Sequence, residues 1–284
     1  MRNKYRMLQI KNVAPLLYCV LLLSCSNAVK LAMAVPETFK QQASMLHVSG
    51  ARGNKMSFDN FSTTKIKRGV HVSYPGWNRG FFLENIFLNQ VGIQKNEIVR
   101  KEKAKFRFTL SDGKNSTEVF ADEKEVTKKL EYKLIKGTGL LSDFQQVQQY
   151  QYIFSAVISA DTSGGGKNWE LLMTNIYDRK KENDKSLFTI LKPDDNGLAT
   201  NGKDTIFIKT ISVKKTEMSN GKTGQLPFKL LGGYELSTKD GVIAVIDMID
   251  RNIWFYNELD AAEKLNVSAI ATAIFARKVH DVKW

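Results

Sequence analysis

Apolar and polar residues alternate with period two along much of this chain, broken by short turns rich in Gly, Asp and Asn. Phe106, Phe108 and Leu110 alternate with Lys105, Arg107 and Thr109, the mark of a strand with one buried face. The turn Ser111-Asp112-Gly113-Lys114-Asn115 follows and residues 116–121 return, which predicts a hairpin. The pattern recurs. Tyr150–Ala160 reads as a strand, Asp161–Lys167 as a glycine-rich loop, and Asn168–Tyr177 as the return, with Trp169, Leu171 and Met173 on one face. Thr205–Val213, dense in Ile, Val and Phe, predicts a central strand partly apolar on both faces. Leu226–Thr238, Gly241–Ile249 and Asn252–Tyr256, joined at Lys239-Asp240-Gly241 and Asp250-Arg251, predict a meander.

The periodicity changes only at the end of the chain. Leu259, Ala262, Leu265, Ala269 and Ala273 share a helical stripe, with Asn257 as the expected cap and Asp260 three positions on. From Val267 to Ala276 the pattern is apolar all round, so the helix is expected to be largely buried. Arg277 and Lys278 then stand where cations suit a helix C-terminus. Short strands with Gly and Asp turns predict a mainly β fold, an antiparallel β-sandwich or barrel with a C-terminal buried α-helix. The expected division is a leader over residues 1–24, a tether over 25–45, a basic β-rich half over 46–136, and a meander with its helix over 150–284. The two halves form either two domains or one.

The N-terminus follows a different logic. Arg2, Lys4, Arg6 and Lys11 precede an apolar run of eleven residues, Val13 to Leu23, too short for the roughly twenty that cross a bilayer as a helix. Basic start and short apolar run together form a secretory signal. Leu22, Ser24 and Cys25 resemble the lipobox of bacterial lipoproteins, a resemblance confined to about the first 26 residues. It implies cleavage before Cys25 and a thioether-linked diacylglyceryl group on its sulfur, with palmitate-type acyl chains. Ser26 after the cysteine is, in that family, compatible with passage to the outer membrane. The cysteine census agrees: the chain has two, and Cys19 lies inside the apolar run. Beyond the leader Cys25 is the single thiol, so neither an internal disulfide nor a cysteine-based metal site can form.

Charge sharpens the picture. Net charge over the whole chain is +13, and the 260 residues from Cys25 onward carry +9. Residues 40–136 hold 19 Lys and Arg against 10 Asp and Glu, whereas residues 137–284 hold 18 of each. A one-sided basic field attracts anionic surfaces, and for a lipid-anchored body the nearest are membrane phospholipid or lipopolysaccharide phosphates. Nucleic acid is not expected as a partner outside the cytoplasm. The opposing reading is a solvated face that maintains solubility.

Little in the sequence points to catalysis. Gly197 to Lys203 imitates the start of a phosphate-binding loop, but Asp204 replaces the hydroxyl residue; Gly221-Lys222-Thr223 lacks the first glycine. Both read as turns. His47, His71 and His280 are the only histidines, and His280-Asp281 are neighbours that a strand would point apart. Asp194, Asp195, Asp247 and Asp250 offer carboxylates for a hydrolase, with Asp194-Asp195-Asn196-Gly197 reading better as a polar turn than as a calcium loop. No cofactor and no metal is expected. Candidate ligand or anion contacts are Trp77 and Arg79, within Tyr74–Phe82, and the ladder Lys103, Lys105 and Arg107. Burial of the aromatics and edge-strand protection by the basic ladder are the competing readings. The expectation is a lipid-anchored envelope lipoprotein with a binding or structural role. Its alternatives are a lipocalin-like carrier of an apolar ligand and an exported carboxylate-dependent hydrolase.

Overall fold

The structure, a computed structural model, describes residues 29–31, 33, 35–69, 100–133, 143–160, 167–183, 195–218 and 223–277. Among them are fourteen strands and two helices. In chain order they are β1 (Val29–Leu31), α1 (Glu37–Lys40), β2 (Ala43–His47), β3 (Ser57–Phe58), β4 (Phe61–Thr63), β5 (Lys67–Arg68), β6 (Arg100–Ser111), β7 (Ser116–Lys133) and β8 (Asp143–Ala160). After these come β9 (Trp169–Asp178), β10 (Asn196–Thr200), β11 (Thr205–Met218), β12 (Thr223–Thr238), β13 (Gly241–Asp247), β14 (Asn252–Tyr256) and α2 (Ala261–Phe275).

All the strands belong to one antiparallel sheet in the order β2-β14-β13-β12-β11-β10-β9-β8-β7-β6-β4-β3, with β1 paired to β11 and β5 to β6. Its two edges nearly meet. Ser49, just past β2, and Ser57 of β3 exchange backbone hydrogen bonds of 2.9 and 3.0 Å. The choice between sandwich and barrel therefore falls to a nearly closed barrel, whose edges are consumed rather than left to pair with other chains.

The inward residues are those the alternation predicts. Phe106, Phe108 and Leu110 on β6, and Leu171 and Met173 on β9, are buried in one core that also contains Tyr152, Phe154, Ile208, Leu236 and Ile246. Helix α2 completes it. Every residue from Val267 to Ala276 is buried, including Ser268 and Thr272. These residues share one core with the inward side chains of β6 to β14, so α2 packs against the inner face of the barrel. The helix fills the interior with Ala269, Ile270, Ala271, Ala273 and Ile274.

A second, smaller core lies on the outside. Met33, Val35 and Phe39 pack with Val213 and Val245, flanked by Trp254 and Tyr256. Gly232 and Gly233 make this possible: a Cβ on Gly233 would strike the Ile246 carbonyl and come within 2.7 Å of the Met33 sulfur. Part of the stretch read as a tether is thus built into the fold, since β1 and β2 lie in the sheet and α1 packs beside it.

Other boundaries also move. The helix cap is Asp260, not Asn257: Asp260 accepts from the Glu263 N–H at 2.8 Å while Glu263 accepts from the Asp260 N–H at 2.9 Å, a reciprocal capping box. β7 continues to Lys133 and β8 begins at Asp143, because cross-strand pairing carries both past the point where apolar alternation fades. β11 is central and partly buried on both faces, as its sequence predicts: Ile206 and Ile208 lie in the main core and Val213 packs in the outer one, while Phe207 is 50 % exposed. Residues 196–200 are strand β10, not loop. A Cβ on Gly197 would collide with the Leu172 carbonyl and the Met173 side chain, so this glycine admits β9 at close range. The remainder of the loop-like motif, Asn201 to Asp204, is the hairpin turn between β10 and β11. There the Asn201 side chain accepts from the Lys203 and Asp204 amides, leaving those donors no phosphate to bind.

Candidate functional site

The most concentrated chemistry among the described residues is a polar cluster in the barrel interior. Arg277, two residues past the end of α2, is 4 % exposed, and Asp195, just ahead of β10, is 0 % exposed. Arg277 Nη1 meets Asp195 Oδ2 at 3.2 Å, and Nη2 donates to the Tyr234 hydroxyl at 2.5 Å. The Tyr234 hydroxyl in turn donates to Asp195 Oδ2 at 2.8 Å, and Asn175 Nδ2 donates to Oδ1 at 2.9 Å. Three elements besides the helix, namely β9, β12 and the approach to β10, therefore converge on one carboxylate. The guanidinium also lies 5.0 Å from the Tyr234 ring centre, 5.5 Å from Phe154 and 5.7 Å from Tyr152. Its Nε donates back to the Ile274 carbonyl at 3.2 Å, satisfying an acceptor left over at the helix end.

Electrostatics follow from this geometry. Burial opposes the arginine's charge, but Tyr234, Tyr152 and Asp195 outweigh it and hold the guanidinium ionised, its pKa above the ordinary arginine value. Burial drives the Tyr152 and Tyr234 hydroxyls upward, so both stay protonated and serve as donors. A second charged pair sits nearby. Glu123 is fully buried and accepts from the Tyr152 hydroxyl at 3.4 Å. Burial lowers the Arg68 pKa while the charge of Glu123 raises it, and Arg68 stacks 5.2 Å over Phe106.

This arrangement suits fastening rather than turnover. Both Asp195 oxygens are occupied by donors, so the carboxylate is not a free base. Asp247 accepts from the Ile249 and Asp250 amides at 2.9 and 3.0 Å, closing the turn after β13; burial raises its pKa against those two bonds. Neither aspartate is the loose carboxylate that a hydrolase needs, and Asp195 is a buried ion-pair member rather than part of a polar surface turn. Among the described residues no three His, Cys, Asp or Glu side chains are grouped to hold a metal.

The residues singled out from the sequence are distributed differently. Cys25, Trp77, Arg79, His71, Asp194, His280 and Asp281 lie outside the described residues. Lys103, Lys105 and Arg107 fall at alternate positions of β6, opposite Lys124, Asp122 and Phe120 of β7. Arg107 is exposed and Lys105 half-buried. On the other side of β6, β5 places Lys67 opposite Arg107. His47 shares a 3.0 Å hydrogen bond with Asn252, within the β2–β14 pair.

The Arg277 cluster was not foreseen. In the sequence Arg277 stands before Lys278 like a solvated helix end, and Asp195 lies within a run of turn-forming residues. No local signal links positions so far apart. No protein-family model, no characterised protein and no solved structure matches the chain.

Proposed function

We propose that this protein is a lipid-anchored lipoprotein of the bacterial envelope, at the outer membrane or a periplasmic face, with a barrel that serves a binding or structural role. One observation carries the reading: Cys25, the only cysteine beyond the leader, stands at the lipobox position four residues ahead of β1. Two acyl chains hold a folded body durably at a membrane, where one does so only marginally. No helix among the described residues is long and apolar enough to cross a membrane.

The interior supports a body without turnover. Asp195 and Asp247 are committed to an ion pair and a turn, which weighs against the hydrolase. A lipocalin-like carrier needs an open apolar cavity of a few hundred Å³ or more. Here α2 lies within the enclosure, and an internal ligand would have to displace it.

Metabolic labelling with a fatty-acid analogue tests the anchor. Label is expected in the wild-type protein and absent from Cys25→Ala, which should leave the envelope fraction. Equal retention of the alanine variant, or a wild type that takes up no label, defeats the reading.

A further inference from the structure

We infer that one end of the barrel, marked by the bulge where β11 meets β12, rests on the anionic phospholipid headgroups of the membrane that holds the anchor. This inference depends on the lipidation of Cys25 proposed above and adds an orientation and a contact surface to it.

The position of β1 sets the orientation. Val29 pairs with Met218 and Leu31 with Thr216, so the chain enters the sheet at the C-terminal end of β11. Val29 is four residue steps from Cys25, and an extended chain of that length spans at most about 14 Å. A lipid on Cys25 thereby holds this end of the barrel against the bilayer surface. The opposite end carries the turns at Asp112–Asn115, Asn201–Asp204 and Lys239–Asp240 and is directed away.

The two ends differ in charge. The described turns at the distal end carry no net positive charge: Lys114 stands with Asp112, Lys203 with Asp204 and Lys239 with Asp240, and Asp59 lies in the turn beside Asp112. The anchor end does not balance in this way. Between Val213↔Leu230 and Lys215↔Gln225, a single residue of β11, Lys214, stands opposite four of β12, Leu226-Pro227-Phe228-Lys229. The result is a wide bulge two residues from the β1 pairing. Lys214, Lys215 and Lys229 are all exposed, and none forms an ion pair with a described residue. Lys180 and Lys181 are exposed in the turn after β9 at the same end, beside Asp178 and Glu182. With Glu217 offset by Lys30 opposite it on β1, the three lysines remain as an excess within reach of an anchored chain, the electrostatic complement of a phosphate-bearing surface. A bulge, which bends the strand out of the sheet, is the device that presents them.

The test uses the processed full-length protein in vesicles. If Cys25 is lipidated, the mature wild type has no free thiol, so one introduced cysteine can be labelled uniquely. A fluorophore on Gln225→Cys, exposed on the bulged end, is compared with one on Lys239→Cys at the distal end. The vesicles are phosphatidylcholine with a headgroup-attached quencher, with and without phosphatidylglycerol. Strong quenching is expected at position 225 and little at 239, and phosphatidylglycerol should deepen the first. Combining Lys214→Glu, Lys215→Glu and Lys229→Glu with the Gln225→Cys reporter should abolish that deepening. Equal or greater quenching at position 239, or a position-225 signal indifferent to phosphatidylglycerol, overturns the inference while leaving the lipid anchor standing. A wild-type protein that itself takes the thiol label overturns both.

Discussion

Arg277 and Asp195 hold matched charges inside the barrel, so removal of one alone should cost much more than removal of both. Arg277→Met takes the cationic partner from a buried carboxylate that keeps Tyr234 and Asn175 as neutral donors, and a loss of about 3–5 kcal/mol is expected. Pairing Arg277→Met with Asp195→Leu should recover a substantial part of that loss, because neither charge is then stranded. Urea titration of the three variants, read as a double-mutant cycle, checks this, and additive losses would contradict it. Asp112 tests the surface. Its carboxylate accepts from the Asn115 and Lys114 amides at 2.6 and 2.8 Å, and these bonds, Asn115's above all, hold its pKa below the ordinary aspartate value. A depressed folded value means that the stabilisation is present above the unfolded aspartate pKa and is lost as pH falls through the folded one. Amide exchange at Lys114 and Asn115, corrected for the intrinsic pH dependence of exchange, should therefore lose protection in that acid window. In Asp112→Ala protection should be low throughout.

At the scale of the element, α2 separates what capping contributes from what enclosure contributes. Asp260→Ala removes one half of the capping box and should cost about 1 kcal/mol by chemical denaturation. Ala271→Leu acts differently. Ala271 is fully buried within an enclosure already filled, so the added methylenes should destabilise by about 1–3 kcal/mol although leucine is a good helix former. A neutral Ala271→Leu would mean that free space surrounds the helix. The sequence disclosed this element well: the all-round apolar run from Val267 to Ala276 is buried as its pattern predicts. Its cap was misplaced by three residues because Asn257 and Asp260 are both good caps, and a single turn separates them. β10 was missed for another reason. Asn196–Thr200 contains a glycine and no strong strand former beyond its threonine, and becomes a strand through close packing against β9 and pairing with β11.

The whole molecule depends on its last helix. α2 is the final described element and occupies the interior that β6 to β14 enclose, so a chain ended after Tyr256 would surround an unfilled core. Such a truncation is expected to lose cooperative unfolding and become sensitive to protease, with near-UV circular dichroism reporting the loss of fixed packing. Retention of a sharp transition would show that the barrel stands without its occupant. The N-terminal strap contributes on the outer face, where Met33 covers Gly232 and Gly233.

Local chemistry alone determined the strand periodicity, the hairpin turns and the buried character of α2, because each is encoded by neighbours a few residues apart. Closure of the sheet through Ser49 and Ser57, insertion of α2, and the meeting of Arg277 with Asp195 were decided only in three dimensions. The physical reason is plainest for the ion pair. A buried charge survives where its partner is supplied, and the partners here come from strands distant in sequence and adjacent only after the barrel has closed.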